Sequence, residues 1–359
     1  MEKIRLLVVD DSLVMRRALR ECFRADPEIE VIGVAENGLR ALEQIRELNP
    51  DVVTLDIEMP EMNGLETLRS LRDQGSTIPI IMFSKYTSAG ATATIEALEL
   101  GASDVVAKPE SHGGRGSSCE IVRRQLTTRI RALGRRAHGA ILRNSSLSQE
   151  TAAAVRTDFL PSREIHAVGI AVSTGGPTAL IELVSSLSPT LEVPIFITQH
   201  MPPMFTKFLA ERLSARGNLP AFEATNGTIA QKGNIYVAPG NYHLEVDRKD
   251  NDLLVNLSEA PHENSCRPSA DVMFRSLATA YGSNLLTIVM TGMGQDGKRG
   301  CEVVKMTGGT VVAQDQESSL VWGMPRAVIS AGLHDAVMPL SAMAHLINGS
   351  CCISKKEPK

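Results

Sequence analysis

Leu6-Leu7-Val8-Val9-Asp10-Asp11 is a run of four apolar residues that ends on two aspartates. A second run, Val52-Val53-Thr54-Leu55-Asp56, ends in the same way. Both are almost wholly apolar, which is typical of strands covered on both faces of a parallel sheet. If the two strands are neighbours, three carboxylates meet at one edge of the sheet. Crowded carboxylates repel one another, so we expect a cation among them.

The first 110 residues alternate between strand-like and helix-like segments. Strands are predicted at Ile4–Val9, Val31–Ala35, Val52–Asp56, Ile78–Phe83 and Asp104–Ala107. Helices are predicted at Leu13–Ala25, Leu39–Leu48, Leu65–Asp73 and Ala89–Leu100. This alternation predicts a five-stranded parallel sheet with helices on both faces. Ligands of such folds bind beyond the carboxyl ends of the strands, where the chain places Asp10, Asp11, Asp56, Ser84 and Lys108.

A second alternating block begins at Ala167. Strands are predicted at Ala167–Val172, Pro194–Gln199, Ile235–Ala238, Leu285–Met290 and Thr310–Ala313. Helices are predicted at Thr178–Leu187, Met204–Arg216, Ala270–Tyr281, Gly297–Met306 and Ser341–Ile347. Two shorter strands, Leu244–Asp247 and Leu253–Asn256, indicate a small antiparallel hairpin at one edge. The block is therefore expected to be a second doubly wound, mainly parallel α/β domain.

The segment between the two blocks is basic. Residues 111–165 hold 10 basic and 4 acidic residues, a net charge of +6, whereas residues 1–110 hold 12 and 20, a net charge of −8. No aromatic residue precedes Phe159 in this segment, so stacking on nucleic-acid bases is not indicated. We expect its helix, Cys119–Leu133, to complement the acidic first domain. The expected division is a domain over 1–133, a linker over 134–164, a domain over 165–350 and a tail over 351–359.

Several classes of protein are disfavoured by the remaining patterns. The chain runs from Met1 almost directly into a strand, which is unlike a signal peptide. The longest stretch with few charges, over 165–181, is broken by glycines and a proline and is no membrane span. The six cysteines form no Cys-x-x-Cys pair. We therefore expect free thiols in a cytoplasmic protein.

One chemistry accounts for the polar side chains at the first sheet edge. Asp11 and Asp56 would hold Mg²⁺, which takes oxygen ligands and bridges to phosphate. Asp56 would attack phosphorus and form an aspartyl phosphate, while Lys108 and Ser84 stabilise the phosphoryl oxygens. Aspartates at strand ends also serve as turn residues and helix caps. The contexts Asp56-x-x-Met59-Pro60 and Ala107-Lys108-Pro109 favour the functional alternative.

A serine at a strand end of the second block indicates another reactive site. In Val172-Ser173-Thr174-Gly175-Gly176-Pro177 the serine stands before a helix, whose first amides, that of Thr174 among them, can stabilise an oxyanion. Serine needs a base to act as a nucleophile. His200 and Asp296 each follow another predicted strand. Three strand ends thus supply a nucleophile, a base and an orienting carboxylate.

The residues alone leave two alternatives to this triad. A glycine-rich turn between strand and helix can bind phosphate, although this one lacks the Gly-Lys-Ser/Thr ending of a P-loop and the spacing of a dinucleotide fingerprint. His243, which follows Ala238-Pro239-Gly240, rivals His200 as the base.

Several motifs within residues 1–130 resemble the receiver domain of two-component response regulators. They are Val9-Asp10-Asp11-Ser12, Leu55-Asp56-Ile57-Glu58-Met59-Pro60, Met62-Asn63-Gly64, Phe83-Ser84 and Gly101-Ala102-x-Asp104-x-x-x-Lys108-Pro109. The resemblance implies a flavodoxin-like fold, phosphorylation at Asp56, and phosphate sensing by Ser84 and Lys108. It implies metal ligation by Asp10, Asp11, Asp56 and the backbone carbonyl of Glu58. Many receivers carry an aromatic switch residue at the position of Val105, so that side chain is missing here.

The motifs of the second block closely resemble the catalytic domain of chemotaxis protein-glutamate methylesterases. In order, they are Ser173-Thr174-Gly175-Gly176-Pro177, Gln199-His200-Met201-Pro202, Ala238-Pro239-Gly240, Arg267-Pro268-Ser269-Ala270-Asp271, Thr291-Gly292-Met293-Gly294-x-Asp296-Gly297 and Trp322-Gly323-Met324-Pro325. The resemblance implies Ser173 as nucleophile, His200 as general base and Asp296 as orienting carboxylate. It implies the Met293 amide in the oxyanion hole and no cofactor at the hydrolase site.

Together, the resemblances imply a phosphorylation-regulated serine hydrolase that removes methyl esters from glutamyl side chains of bacterial chemoreceptors, with glutamine deamidation as a second activity. The implied partners are the cytoplasmic domain of a chemoreceptor and a chemotaxis histidine kinase, with neither nucleic acid nor membrane insertion. We expect the unphosphorylated receiver to cover the cleft containing Ser173. The rival is a response regulator that acts through binding, although residues 165–348 show no basic recognition helix.

Overall fold

The computed structural model describes residues 2–84, 87–108, 123–135, 155–250 and 252–351. The chain divides into two units, Met1–Gln149 and Glu150–Lys359. Each unit has its own central parallel sheet. The start of the predicted linker helix, most of the predicted linker and residues 352–359 of the tail lie outside the described residues.

The sheet of the first unit has five parallel strands, as predicted. They are β1 (Ile4–Val9), β2 (Ile29–Ala35), β3 (Val52–Asp56), β4 (Ile80–Ser84) and β5 (Asp104–Ala107), in the order β2-β1-β3-β4-β5. The helices are α1 (Leu13–Phe23), α2 (Gly38–Leu48), α3 (Gly64–Asp73), α4 (Ser88–Glu99) and α5 (residues 123–135). Val9 pairs with Leu55, and Asp56 pairs with Phe83. The residues that follow these strands therefore meet at one edge.

Local capping explains where several of these helices begin. The Ser12 side chain caps α1, while Asp10 Oδ1 accepts the Ser12 amide at 2.9 Å. Asn63 and Glu66 form a capping box at the start of α3. A Cβ on Gly64 would lie 2.1 Å from the Asp56 carbonyl oxygen, so only glycine fits beside the end of β3. Asp10 thus stabilises the turn before α1 and also contributes a carboxylate to a candidate site.

The basic helix α5 complements the acidic first unit, as expected from the charge distribution. Arg129 pairs with Asp104 at 2.9 Å. Arg131 lies 2.6 Å from Glu28, and Arg135 lies at the same distance from another oxygen of that carboxylate. These ion pairs hold α5 against the unit as far as residue 135, two residues beyond the predicted end of the domain.

The second unit is built on seven parallel strands. They are β6 (Ala167–Val172), β7 (Ile195–Gln199), β8 (Ala221–Glu223), β10 (Ile235–Val237), β13 (Leu285–Val289), β14 (Thr310–Gln314) and β15 (Ala336–Met338), in the order β15-β14-β13-β6-β7-β10-β8. The helices are α6 (Gly176–Ser185), α7 (Phe205–Arg216), α8 (Ala270–Tyr281), α9 (Lys298–Met306), α10 (Met324–Ser330) and α11 (Leu340–Cys351).

The small antiparallel part differs from the prediction. Strands β11 (His243–Lys249) and β12 (Asp252–Ser258) form the expected hairpin, but β9 (Thr228–Ile229) adds a third strand. The three form a sheet of their own instead of extending the edge of the parallel sheet. Strands of two or three residues show little periodicity, and β8, β9 and β15 escaped prediction. The equally short β10 was predicted because its apolar run continues to Ala238.

The second unit makes a backbone contact within the expected linker, and one expectation about the cysteines needs correction. Val155 bridges to Val337, and the Arg156 amide donates to the Val337 carbonyl at 2.8 Å, so the second unit reaches into the expected linker. Cys22 is disulfide-bonded, whereas Cys266 and Cys301 are free thiols. Sequence spacing does not disclose which thiols meet in space. Among the described residues, no helix is both long and apolar enough to cross a membrane.

Candidate phosphoacceptor and hydrolase sites

Asp10, Asp11 and Asp56 come together at the carboxyl edge of the first sheet. One carboxylate oxygen from each lies within 4.8 Å of the others. Lys108 Nζ lies 2.6 Å from Asp56 Oδ2 and 2.8 Å from Asp10 Oδ2. Burial raises the pKa of Asp56 to about 6, although the hydrogen bond from Lys108 opposes this shift. Three carboxylates at this spacing are the hard oxygen donors that Mg²⁺ prefers, so the residues present fit the ion.

The remaining predicted residues of the first site surround this cluster. Ser84 ends β4, and its hydroxyl donates to the Gly90 carbonyl at 3.3 Å. Glu58 is exposed and lines a surface pocket together with Asp11. Val105 is buried in β5, where many receivers have the aromatic switch. The structure therefore brings these side chains to one edge of the sheet, with a valine at position 105.

The second site lies at the carboxyl edge of the seven-stranded sheet. Val172 pairs with Gln199, which puts Ser173 and His200 one position further along neighbouring strands. The Ser173 amide donates to the Thr291 carbonyl at 3.0 Å, so the segment after β13 reaches the same point. Among the described residues, the His200 ring bonds to Asp296 and Cys266 and forms no hydrogen bond with the Ser173 hydroxyl.

His200 and Asp296 form the central pair of this site. His200 Nε2 lies 2.8 Å from Asp296 Oδ2, and both side chains are largely buried. Burial alone would lower the pKa of His200, but its hydrogen bonds and charge interactions with Asp296 and Cys266 together outweigh burial and raise that pKa well above the usual value. The same bond helps to lower the pKa of Asp296, against its burial. Because Asp296 holds Nε2, proton transfer falls to Nδ1, which Cys266 Sγ approaches to 3.8 Å.

The start of α8 fixes the Asp296 carboxylate. The Ala270 amide donates to Oδ2 at 2.6 Å, and the Ser269 hydroxyl donates to Oδ1 at 2.7 Å. Asn264 Nδ2 adds a bond to Oδ1 at 2.8 Å. A helix N-terminus favours a negative charge, so this position stabilises the ionised carboxylate. Sequence reasoning assigned no role to Ser269 or Asn264, although Ser269 directly before α8 carries a readable N-cap signal.

The ring of the rival histidine, His243, is held in place by backbone groups. Its ring is buried, and Nδ1 accepts the Ser269 amide at 3.1 Å. Nε2 lies 3.1 Å from the Pro261 carbonyl oxygen, to which it donates. Both ring nitrogens are thus occupied by backbone groups, which favours His200 over His243 as the base.

Backbone amides next to Ser173 could receive an oxyanion. The Met293 amide has no hydrogen-bond acceptor in the part of the chain that the structure describes. A Cβ on Gly292 would lie 2.9 Å from Ser173 Cβ, so the segment before Met293 passes close to the serine. Gly292 also bridges to Trp322, whose ring nitrogen donates to the Gln314 carbonyl at 3.1 Å. Thr174 is buried directly after the serine.

The glycine-rich turn is explained by packing. A Cβ on Gly176 would lie 2.0 Å from Gln199 Oε1, and Gln199 Nε2 donates to the Ser173 carbonyl at 3.0 Å. Gly175 has a φ of +78°, a conformation that glycine adopts without strain. The glycines therefore admit the chain's own glutamine beside the serine, which weakens the alternative of a phosphate-binding loop.

Comparisons with known proteins match both halves of the sequence. Residues 168–347 match the family model of the CheB methylesterase, and residues 6–113 match that of the response regulator receiver domain. A protein-glutamate methylesterase/protein-glutamine glutaminase of Trichodesmium erythraeum is 43% identical over 97% of this chain and 99% of its own. One from Nocardioides sp. is 46% identical over 95% of this chain and 93% of its own.

A solved structure agrees as well. The crystal structure of the Thermotoga maritima CheB methylesterase catalytic domain is 36% identical, covers 52% of this chain and 99% of its own, and has a TM-score of 0.51. The resemblance inferred from the motifs is confirmed for both halves of the sequence. The chain belongs to the protein-glutamate methylesterase/protein-glutamine glutaminase family, with a receiver domain ahead of the methylesterase domain.

Proposed function

We propose that this chain is a cytoplasmic serine hydrolase that cleaves glutamyl methyl esters on chemoreceptors and deamidates glutamine side chains on the same substrates. The observation that carries the proposal is the His200–Asp296 pair, 2.8 Å apart and anchored on α8, at the sheet edge that also ends in Ser173. A nucleophile, a base and an orienting carboxylate at one edge are the parts that acyl transfer needs.

The proposed reaction uses these groups in turn. Ser173 Oγ attacks the ester carbonyl while its proton passes to His200 Nδ1, since Nε2 is held by Asp296. The amides of Met293 and Thr174 stabilise the oxyanion, and one such donor is typically worth about 10²–10³ in rate. The proton then moves from His200 to the leaving methoxide, which departs as methanol. Water activated by His200 hydrolyses the acyl-serine, and an amide substrate releases ammonia instead.

The serine assignment is tested by methanol release and by labelling with a fluorophosphonate, which reacts only with an activated serine. Ser173→Ala should abolish both, because no other group in the proposal can form the acyl intermediate. Ser185→Ala is the control: the Ser185 hydroxyl donates to the Glu182 carbonyl at the end of α6, and both signals should persist.

Release of methanol by Ser173→Ala at the wild-type rate would contradict the hydrolase proposal. Absence of labelling in the wild-type protein, combined with receptor binding, would favour the rival in which the second unit is a binding scaffold.

We further propose that phosphorylation at Asp56 regulates the hydrolase, with a chemotaxis histidine kinase as phosphodonor. Asp10, Asp11, Asp56 and the Glu58 carbonyl would hold Mg²⁺, which when bound neutralises charge on the phosphoryl group. Lys108 and Ser84 would bind phosphoryl oxygens. Support comes from the crowding of the carboxylates around Lys108.

The proposed domains are a receiver over 1–133, a linker over 134–164, a catalytic domain over 165–350 and a tail over 351–359. In the unphosphorylated protein the receiver would cover the cleft that contains Ser173 and block access of the receptor. Phosphate on Asp56 would bias the receiver surface and release that inhibition.

A further inference from the structure

The segment between β12 and α8 makes a tight turn at Asn264 and Ser265. Glu263 and Cys266 pair through two backbone hydrogen bonds of 2.8 and 3.1 Å. Asn264 has a φ of +51° and Ser265 a φ of +63°. Positive φ at both central residues is the pattern of a type I′ turn, in which asparagine is favoured at the first position. Two ion-pair contacts, of 2.6 and 2.8 Å, tie Glu263 to Arg275 on α8.

This turn aims the Asn264 side chain at two buried carboxylates. Asn264 Nδ2 lies 2.8 Å from Asp296 Oδ1 and 2.7 Å from Asp271 Oδ2. A side-chain amide nitrogen carries two protons, so it can donate one to each carboxylate. Asp271 is fully buried and Asp296 is only 2% exposed. Two like charges this close repel each other unless donors stand between them.

We propose that Asn264 is a positioning residue of the hydrolase site, whose amide clamps Asp296 to Asp271 and so fixes the carboxylate that holds His200. This inference rests on the proposed function and deepens it, because it names a residue that sets the basicity of the catalytic histidine. Each donor to Asp296 stabilises the negative charge of its carboxylate. Without the Asn264 donor, the negative charge of Asp296 is less stabilised by its other partners and interacts more strongly with the proton on His200. The protonated form of His200 is then favoured, so its pKa rises.

Other titratable and charged groups also interact with His200 or Asp296. They are Glu263 and Cys266 of the turn, Asp271 and Arg275 of α8, and Cys301 of α9, while His243 of β11 interacts with Glu263. Arg275 balances Glu263 through their ion pair, and Cys266 Sγ lies 3.8 Å from His200 Nδ1. Among these groups, Asp271 is the acid that shares a donor with Asp296.

The decisive variant is Asn264→Gly. Glycine adopts positive φ freely, so the turn is kept while the amide is removed. We expect the acidic midpoint of the pH profile of kcat/KM to rise by about one pH unit, the size of one hydrogen bond to a charged group. The His200 ring titration, followed by NMR, should move with it. Aspartate also tolerates positive φ, so Asn264→Asp should keep the turn. It should shift the midpoints of kcat/KM and of the ring titration in the same direction, because it brings a further acid to the two carboxylates.

A matched control lies on the β11–β12 hairpin. Asn256 Nδ2 donates to Asp247 Oδ2 at 2.6 Å, so Asn256→Asp makes the same change beside an aspartate outside the site. It should leave both midpoints at the wild-type values. If Asn264 serves only the turn, Asn264→Gly will also keep the wild-type midpoints, and the inference is overturned.

The His200 ring titration and the release of methanol together distinguish a failure of this inference from a failure of the proposed function. A shifted ring titration in a protein whose wild type releases no methanol would support the clamp and contradict the hydrolase proposal. An active wild type with unshifted midpoints in both Asn264 variants would leave the hydrolase intact and overturn the clamp.

Discussion

Asp296 is the residue on which the second site depends most. Its carboxylate accepts bonds from an imidazole, a hydroxyl, a side-chain amide and backbone amides at the start of α8. These partners keep the carboxylate ionised, despite burial that would favour the neutral acid. The ionised carboxylate in turn raises the pKa of His200. The protonated ring is thus favoured at neutral pH, and the base becomes available as the pH rises.

Asp296→Asn tests this electrostatic coupling. The amide keeps the shape of the side chain but removes the negative charge, so the pKa of His200 should fall towards its usual value. The acidic midpoint of kcat/KM should therefore move to lower pH, while the maximal rate drops because the imidazolium is no longer stabilised. Methanol release measured across pH gives both quantities. A midpoint that stays or rises would contradict the coupling. Asp335→Asn, at an ion pair with Lys305, should leave the midpoint unchanged.

His243→Leu tests the structural role of the rival histidine. Removal of the ring leaves the buried Ser269 amide without its acceptor, which costs about 1–3 kcal/mol of the free energy of unfolding. Denaturant unfolding measures the loss, and Ser173 in the folded fraction should still react with a fluorophosphonate. His200→Gln should show the opposite pattern, with labelling abolished. Loss of labelling in fully folded His243→Leu would return His243 to the list of candidate bases.

At this scale the sequence locates the proposed reacting residues better than the residues that support them. Ser173, His200 and Asp296 each follow an apolar strand, so the strand-end rule brings them to one edge. Asn264 belongs to a turn that carries no such pattern. Its contact with Asp296 spans 32 positions in sequence and depends on the turn geometry and on where α8 begins. A single sequence contains no local signal for such a contact.

Among the elements, the long apolar strands were predictable, whereas β8, β9 and β15, of two or three residues, were not. β1, β3 and β6 are buried along most or all of their lengths, which their composition indicates. Among the described residues, the observed helix starts lie within two residues of the predicted ones, and the shifts arise because caps and glycine turns decide the first residue. α6, for example, begins at Gly176 and not at the predicted Thr178. α10 follows Trp322-Gly323, inside a motif that had been assigned no secondary structure.

The N-terminus of α8 links stability to catalysis. Ser269→Ala removes the N-cap, which costs about 1 kcal/mol, and also removes a donor to Asp296. We therefore expect a lower melting temperature of the second unit together with slower methanol release. Thr87→Ala is the matched control, since Thr87 caps α4 of the first unit.

Calorimetry with a methanol assay on the same samples separates the two effects. The control should lower the stability of the first unit and leave the activity of the second unchanged. Wild-type activity in Ser269→Ala would show that the hydroxyl acts only as a cap.

For the whole molecule, the proposed inhibition is tested by removing the first unit. A fragment spanning residues 150–359 should release methanol without phosphorylation at least as fast as the phosphorylated full-length protein. It begins before Val155 because the backbone of Val155 and Arg156 pairs with Val337. Full-length Asp56→Asn, treated with a phosphodonor, should stay at the unmodified rate. A fragment no faster than the unmodified full-length chain would rule out inhibition by covering.

The bridge between Gly292 and Trp322 has a practical consequence. Trp322 is the single tryptophan of the chain, and it pairs with the residue next to Met293. The tryptophan fluorescence of the protein therefore originates beside Met293 in the second unit, whose amide is proposed to bind the oxyanion, whereas phosphorylation is proposed for the first unit. A change in the tryptophan emission after phosphorylation of Asp56 would show, without any attached dye, that phosphorylation alters the surroundings of the hydrolase site.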